Sequence, residues 1–313
     1  MRVLVTGIAG FGGSALARRL IKEGYTVRGL DVVAPSHAFL LEDVIDRIDY
    51  RWKNVVDITL EDVKDCSVVL HFCAQADVPA GFTSPRYTVS NNVMGTVAAL
   101  EACRGVDGLE KFMLASSANA VQRPLTLPIG PEHPPNPVNP YGASKGAQEL
   151  MAWAWHRSYD VPVVVFRNGI IYGPNMRREI FIFKWLWNIL QGKPCILEGG
   201  DQTRDPTYFS DTVDAWMLGI EAETENVVGQ TFQVSYGTEY SVKDLLAECM
   251  KVCNTTVEVI KTPYRPGEQG MRECFDVSKA KEILGYAPKI SLQEGLSLTV
   301  EWIRTLVGGR SER

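Results

Sequence analysis

The stretch Gly7-Ile8-Ala9-Gly10-Phe11-Gly12-Gly13 decides the fold of this 313-residue chain. Before it, residues 2–6 form an apolar run of strand length, and after it residues 14–23 have the apolar spacing of a helix. Residues 25–30 predict a second strand, which leads directly into Asp31. A strand, a glycine turn, a helix and a second strand followed by an acid are the parts of a βαβ unit that binds a dinucleotide.

Each part of this unit has a chemical reason to bind a dinucleotide. The spacing Gly7-x-x-Gly10-x-x-Gly13 lets backbone amides approach a pyrophosphate, which would lie at the positive end of the helix dipole. Asp31 would accept hydrogen bonds from the adenosine ribose hydroxyls and would repel a 2′-phosphate. No Arg or Lys follows it in residues 32–34, so the sequence predicts NAD rather than NADP as the cofactor. The alternative is a tight turn beside an unrelated surface aspartate.

Strand-like and helical segments alternate through the first half of the chain. Further strands are predicted at residues 50–56, 68–72, 111–114 and 161–166. This alternation predicts an α/β fold with a Rossmann-type doubly wound parallel sheet, whose ligands bind beyond the carboxyl ends of the strands. We predict an NAD-binding domain over residues 1–170, to which a strand and a helix from about 207–250 return. Residues 171–313 are predicted to form a smaller, mixed α/β C-terminal substrate lobe.

A second stretch, Asn139-Pro140-Tyr141-Gly142-Ala143-Ser144-Lys145, predicts the chemistry. Asn139 is a good helix N-cap, and Pro140 suits the first helical position. Tyr141 and Lys145 then lie one turn apart on one face of the helix, either as a solvated pair or as a catalytic one. An ammonium favours a neighbouring phenolate, so we expect Lys145 to lower the pKa of Tyr141 and to let it exchange a proton with an alcohol. We expect this helix to begin near the amino edge of the sheet, with its Tyr–Lys face slanting toward the cofactor.

Composition excludes several classes of function. The formal net charge of −5 and the absence of any Lys/Arg run argue against a nucleic-acid or anionic-membrane surface. The seven cysteines are scattered without a Cys-x-x-Cys pair, and the four histidines are dispersed. We therefore expect reduced thiols in a cytoplasmic protein, with no disulfide framework and no metal site. We also expect no signal peptide and no membrane span.

The ordered motifs resemble those of the extended short-chain dehydrogenase/reductases, most closely the NAD-dependent nucleotide-sugar epimerases and dehydratases. Besides the glycine turn, Asp31 and the Tyr141-x-x-x-Lys145 pair, the resemblance is carried by Asp57-Ile58, His71-Phe72-Cys73-Ala74-Gln75, Asn92-Val93-Met94-Gly95-Thr96 and Ser116-Ser117. It implies that the cofactor is held by Gly7, Gly10, Phe11, Gly12, Gly13, Asp31, Val32, Asp57, Ile58, Cys73, Ala74, Gln75, Asn92, Ala115, Ser116, Tyr141 and Lys145. It implies that the nucleotide-sugar substrate is held by Gln75, Ser117, Tyr141, Asn168, Arg204, Arg265 and Glu268.

The arginines of the second half also have a physical argument. An arginine fork suits a diphosphate better than a lysine does. From the residues alone, however, two surface salt bridges are the favoured interpretation of Arg204 and Arg265. The resemblance favours the diphosphate of a nucleotide sugar, most simply a UDP-sugar.

The resemblance also implies a reaction, in which Ser117, Tyr141 and Lys145 oxidise a sugar hydroxyl to a 4-keto sugar. Ser117 is followed by Ala118 and Asn119, which cannot titrate, and this argues against a dehydratase or a decarboxylase. We therefore predict a nucleotide-sugar 4-epimerase, acting on a UDP-hexose or UDP-hexuronate with tightly bound NAD.

Two alternatives remain open at this point. One is an NAD(P)-dependent nucleotide-keto-sugar reductase or dehydrogenase with the same catalytic residues. The other is a nucleotide sensor that kept the fold and lost the chemistry. The resemblance further implies a homodimer, in which helices over residues 92–103 and 141–156 of each subunit form a four-helix interface.

Overall fold

The computed structural model describes residues 1–308. Its strands are β1 (Arg2–Thr6), β2 (Thr26–Asp31), β3 (Ile48–Trp52), β4 (Val68–His71), β5 (Lys111–Ser117), β6 (Val163–Asn168), β7 (Ile170–Tyr172), β8 (Cys195–Glu198), β9 (Thr203–Arg204), β10 (Pro206–Tyr208), β11 (Thr231–Val234), β12 (Tyr240–Ser241) and β13 (Val259–Thr262). Its α-helices are α1 (Phe11–Lys22), α2 (Leu60–Val63), α3 (Val78–Thr83), α4 (Pro85–Val89), α5 (Gly95–Cys103), α6 (Pro140–Tyr159), α7 (Phe181–Leu190), α8 (Phe209–Glu221), α9 (Thr224–Val227), α10 (Val242–Cys253), α11 (Ser278–Leu284) and α12 (Leu292–Gly308). None of the helices in this part of the chain has the length and apolar character needed to cross a bilayer.

Within residues 1–308, seven strands pair in parallel into a central sheet with the order β11-β6-β5-β4-β1-β2-β3. The chain moves outward from β1 to β3 and then crosses back to β4, so the direction of winding reverses between β1 and β4. This order confirms the predicted Rossmann-type fold. Val3, Leu4 and Val5 are fully buried because helices cover both faces of the sheet, which explains the unbroken apolar runs in the sequence.

The helices divide between the two faces of the sheet. Leu16 of α1, Trp216 of α8 and Leu284 of α11 belong to the buried cluster on one face. Leu100 of α5 and Ala152 of α6 belong to the cluster on the other face. The sheet is therefore the middle of three layers, and loops lie at the carboxyl ends of its strands. Ligands bind at that edge in such folds.

A second apolar cluster lies in the C-terminal half. Trp185 of α7, Leu246 of α10 and Ile303 of α12 are buried together in it. Helix α10 falls inside the segment predicted to return to the sheet, but it packs against α7 and α12. Strand β11 pairs with β6 in the sheet, and helix α8 packs in the apolar cluster on one face of it. The predicted division into domains stays a prediction.

Helix α6 begins at the carboxyl edge of the sheet, and our expectation of the amino edge is wrong. The Nζ atom of Lys145 lies 2.8 Å from the carbonyl oxygen of Ala115, near the end of β5. Gly142 lies so close to the turn after β5 that a Cβ atom there would be 2.2 Å from the carbonyl oxygen of Asn119. A helix that links two parallel strands runs antiparallel to them, so it must start where the preceding strand ends. Tyr141 and Lys145 therefore lie at the carboxyl edge of the sheet, and the helix does not have to slant to bring them there.

We predict that Gly13→Ala destabilises the fold while Gly12→Ala is tolerated. A Cβ atom at Gly13 would lie 2.3 Å from the carbonyl oxygen of Gly7, whereas at Gly12 it would lie 3.1 Å from the ring edge of Phe72, which can move. Overpacking against backbone costs about 1–3 kcal/mol. Urea unfolding should show a loss of about 2 kcal/mol for Gly13→Ala and a change below about 1 kcal/mol for Gly12→Ala. Equal losses for the two variants would contradict the close approach of α1 to the turn.

Candidate active site

The glycine turn joins β1 to α1 at the carboxyl edge, and its geometry fits a dinucleotide pyrophosphate. The backbone of Gly7 has a φ of +72°, and its amide donates to the carbonyl of Leu30 over 2.8 Å. Gly10 is the N-cap of α1, and no side chain of the described residues caps that helix end. The first amides of a helix lack intrahelical partners, so this terminus offers N–H donors and a positive dipole end to a phosphate.

Asp31 lies against this turn, as the sequence predicts. One carboxylate oxygen accepts from the amide of Ala9 over 2.9 Å and the other from the amide of Val33 over 3.0 Å. The two hydrogen bonds fix the carboxylate at the end of β2, with lone pairs left for a ribose diol.

The neighbouring Val32 is 65% exposed and Ile58 is buried, while Asp57 is exposed in a 3₁₀ turn beyond β3. Strand β3 ends at Trp52, so the predicted strand to residue 56 is too long.

The loop after β4 closes the other side of the turn. A Cβ atom at Gly7 would lie 2.9 Å from the backbone of Cys73, so the loop and the glycine turn are in direct contact. Asn92 is fully buried and clamps this loop, because its amide group bonds to both the N–H and the C=O of Gln75. Its Nδ2 atom also donates to Ser144 Oγ of α6 over 2.8 Å. Asn92 thus lies at the predicted cofactor site but bonds to protein there, which makes it a support for the loop rather than an exposed ligand.

Ser117, Tyr141 and Lys145 come together at the carboxyl edge between β5 and α6. Ser117 is the last residue of β5, and Tyr141 is at the second position of α6. The side chain of Tyr141 is 7% exposed, and Lys145 Nζ lies 6.0 Å from the centre of its ring. The adjacent Ser116 points away from this group and donates to the carboxylate of Glu149. The arrangement can transfer a proton to or from a hydroxyl bound above the strand ends.

The pKa of Tyr141 differs from the sequence expectation. Burial raises it above the ordinary value, and only a hydrogen bond from Ser117 and the charge of Arg177 act to lower it. The prediction that Lys145 lowers the pKa of Tyr141 is wrong, because the ammonium is directed at the carbonyl of Ala115. Burial also lowers the pKa of Lys145, to about 8, against the opposing charges of Cys73 and Glu149. Removal of water from the site is thus the largest influence on the pKa values of both groups.

Sequence reasoning missed a buried ion pair one turn beyond Lys145 on α6. Glu149 follows Tyr141 and Lys145 at the next turn of α6, and its carboxylate pairs with Arg167 of β6 at 2.7 Å. Both side chains are at most 4% exposed. The repeat of Tyr, Lys and Glu at intervals of four residues is the signal that would have placed Glu149 on the catalytic face.

A second missed residue is Arg177, in the turn between β7 and α7. Its exposed guanidinium donates to the carbonyl of Ala76 over 2.8 Å, which ties this turn to the loop after β4. Its charge reaches the phenol of Tyr141 and lowers the pKa of that group. Arg177 therefore places a cation close enough to act on the phenol of Tyr141. Nothing in the spacing of the sequence marks it, because its position depends on the fold.

The predicted substrate residues of the second half form ion pairs with carboxylates. Arg204 is 7% exposed and lies 3.1 Å from Glu268 and 3.8 Å from Glu273. Arg265 is partly exposed and donates to Glu198 over 2.6 Å. The structure therefore groups Arg204 with Glu268 and places Arg265 in a separate pair.

Asn168 ends β6, next to Ser117 in the register of the sheet. Its Nδ2 atom bonds to the carbonyls of Ser116 and Phe166, and its Oδ1 atom accepts from the indole of Trp216. Its polar atoms are thus engaged within the protein core, and a substrate contact would have to replace one of these bonds.

Comparison with known proteins identifies the family of the chain. A model of the NAD dependent epimerase/dehydratase family matches residues 3–235. The chain is 32% identical over 316 residues to the UDP-glucose 4-epimerase of Mycolicibacterium smegmatis, with 97% of this chain and 99% of that protein covered. It is 32% identical over 324 residues to the dTDP-glucose 4,6-dehydratase of Streptomyces niveus, with 97% and 93% covered.

A solved structure gives the same result for the fold. It is a UDP-glucuronic acid 4-epimerase from Bacillus cereus, in complex with UDP-glucuronic acid and NAD, with a TM-score of 0.90 and 28% sequence identity. The match covers 98% of this chain and 100% of that one. The chain is therefore an NAD-dependent enzyme that belongs to the NAD dependent epimerase/dehydratase family, within the extended short-chain dehydrogenase/reductases.

Proposed function

We propose that this enzyme is a nucleotide-sugar 4-epimerase, acting on a UDP-hexose or a UDP-hexuronate through a transient 4-keto sugar with tightly bound NAD. The observation that carries the proposal is the grouping of Ser117, Tyr141 and Lys145 beside residues that cannot titrate. An elimination of water would need an acid and a base next to Ser117, and Ala118 and Asn119 supply neither. UDP-glucose and UDP-glucuronate 4-epimerases among the relatives support it, and the related dehydratases are the competing activity.

Each residue of the site would have a separate role in the proposed reaction. NAD supplies an acceptor for the hydride of the sugar carbon. Tyr141, as phenolate, takes the proton of the sugar hydroxyl and later returns it, and Ser117 donates a hydrogen bond to the same oxygen. Lys145 holds positive charge beside the phenolate and would bond to the nicotinamide ribose. The glycine turn and Asp31 would hold the pyrophosphate and the adenosine ribose.

Arg177 favours a hexuronate over a neutral hexose as the substrate. Its guanidinium bonds to the carbonyl of Ala76, and its charge acts on the phenol of Tyr141, which would contact the sugar. A sugar carboxylate close to that phenol would form a charge-assisted hydrogen bond with Arg177. A neutral hexose would leave the guanidinium bonded to Ala76 alone.

We further propose a homodimer built on α5 and α6. These helices pack side by side, with the indole of Trp155 donating to Glu101 over 2.6 Å. Leu150 of α6 is 57% exposed, and Met94, which precedes α5, is 55% exposed. Exposed apolar side chains on a pair of adjacent helices suit a four-helix interface.

The seven cysteines are all unpaired, which suits an enzyme of the cytoplasm.

We predict that Tyr141→Phe lowers kcat by roughly 10²–10⁴-fold, because it removes the group that exchanges the proton. The assay follows conversion of UDP-glucuronate and UDP-glucose to their C4 epimers by NMR, with no reduced cofactor added. Tyr159→Phe, at the exposed end of the same helix, is the matched control and should keep its rate. Turnover that requires stoichiometric NADH or NADPH would identify the reductase instead. A wild-type protein that binds the nucleotide but converts neither substrate would support a sensor, and an undiminished Tyr141→Phe rate would exclude Tyr141 as the proton-exchanging group.

We predict that Arg177→Ala selectively impairs the charged substrate. The loss of a charge-assisted hydrogen bond, worth about 1.5–3 kcal/mol, should lower kcat/KM for UDP-glucuronate by roughly 10–100-fold. The value for UDP-glucose should change by less than about threefold. Arg178→Ala removes an adjacent exposed charge and is the control. Equal losses for both substrates would rule out carboxylate recognition by Arg177.

We predict that the protein has twice its chain mass of 34.7 kDa in light scattering at micromolar concentration. Leu150→Arg should shift it toward the monomer, because a charge would be buried at the interface. Leu125→Arg changes a leucine that is 71% exposed on a loop, and it should leave the mass unchanged. A monomeric wild-type protein would exclude the proposed interface.

A further inference from the structure

We propose that Asn119 and Asn139 are positioning residues that fix the direction of the Ser117 hydroxyl proton, so that Ser117 acts as a hydrogen-bond donor toward Tyr141 and the sugar oxygen. The inference rests on the proposed function of this site and adds a pair of amide side chains to it. It is carried by a chain of hydrogen bonds that starts at the backbone of α6 and ends at Ser117.

The chain of hydrogen bonds starts at a group that can only donate. The backbone N–H of Gly142 bonds to Asn139 Oδ1 over 2.8 Å, as expected at a helix N-cap. This assigns the other end of the Asn139 side chain as the NH₂ group, which donates to Gln122 Oε1 over 2.7 Å and to Asn119 Oδ1 over 3.3 Å. Asn139 is 7% exposed, so its amide has little water to bond to instead.

The orientation of Asn119 follows from that of Asn139. Because its Oδ1 atom accepts from Asn139, its NH₂ group is the end that faces Ser117. The Nδ2 atom lies 3.3 Å from Ser117 Oγ, and the backbone N–H of the same residue lies 3.2 Å from it. Asn119 therefore directs two donors at one oxygen. Its backbone is held there by the close contact between its carbonyl and Gly142.

The two donors of Asn119 fix the direction in which the Ser117 hydroxyl points its proton. A hydroxyl oxygen has two acceptor positions and one proton. With both acceptor positions facing the N–H groups of Asn119, the proton is left to donate in the remaining direction, which agrees with the lowering effect of Ser117 on the pKa of Tyr141. In the free enzyme this one proton stabilises the phenolate. With substrate bound it donates to the sugar oxygen instead and stabilises the charge that develops there when the sugar hydroxyl loses its proton.

Asn119→Asp is the sharpest test because it keeps the shape and reverses the polarity. A carboxylate at this position would accept from Ser117, and the hydroxyl proton would then turn away from Tyr141. Asn119→Ala removes the side-chain donor without adding charge. Asn136→Asp is the control, because Asn136 lies in the following loop, where its Nδ2 atom donates to the carbonyl of Arg123 over 2.7 Å. Asn136→Asp removes one hydrogen bond from an amide NH₂ group and adds one negative charge, as Asn119→Asp does.

We expect Asn119→Ala to lower kcat about 10-fold and Asn119→Asp about 100-fold, with KM for the nucleotide sugar changed less than about threefold. The acid limb of the kcat/KM profile against pH should move to higher pH in both variants, because the phenolate loses a donor. In a Ser117→Ala background, Asn119→Asp should have no further effect, since the hydroxyl it acts on is gone. Asn136→Asp should keep the wild-type profile.

Two results would overturn the proposal. One is an Asn119→Asp loss that persists undiminished in the Ser117→Ala background, which would make added charge the cause. The other is an unshifted acid limb in Asn119→Ala, which remains informative if the aspartate variant does not fold. Failure of the proposed function is separate, because it would show as an active Tyr141→Phe enzyme or as dependence on added reduced cofactor.

Discussion

The contact between the start of α6 and the end of β5 is the constraint on which the active site depends. Gly142 fits against the carbonyl of Asn119 only because it lacks a side chain, and Lys145 Nζ bonds to the carbonyl of Ala115. These two contacts hold the helix that carries Tyr141 against the strand that carries Ser117. Proton transfer depends steeply on the distance between donor and acceptor, so a rigid backbone contact here serves catalysis directly. The buried pair of Glu149 and Arg167 supports the same helix one turn further on.

The glycine turn and the catalytic helix reach one edge of the sheet for a topological reason. Both α1 and α6 follow a parallel strand and begin at its carboxyl end, and the reversal of strand order between β1 and β4 opens the edge between them. The loop after β4, clamped by Asn92, fills that opening and contacts both sides: Gly7 on one, and Ser144 of α6 on the other. The cofactor side and the catalytic side are thus joined through one buried asparagine. This explains why an amide with no exposed surface lies among the residues of the family motif.

The sequence predicts the parts of the fold that depend on local pattern. The strands of the sheet, the glycine turn and the Tyr–Lys face of α6 follow from apolar periodicity, turn chemistry and helix spacing. The missed features depend on what the fold brings near. The charge of Arg177 reaches Tyr141 from a turn in the other half of the chain, and the pKa of Tyr141 is set by burial that spacing alone does not reveal. The start of α6 is predictable from the sequence, because the topology of a parallel crossover already requires the carboxyl edge.

The two arginines that are predicted to bind the diphosphate, and that the sequence treats alike, differ in the charge around them. Arg204 is buried with Glu268 and Glu273, and burial raises the pKa of Glu273 to about 7, with the charge of Arg204 opposing it. A diphosphate that approached Arg204 would meet two carboxylates in a site with little water, and their repulsion would offset much of the attraction. Arg265 is partly exposed and has one carboxylate partner, Glu198, which is itself partly exposed and can return to water at small cost. On this argument Arg265 is the better anchor for a diphosphate, and Arg204 serves to keep the acidic side chains of the lobe in place.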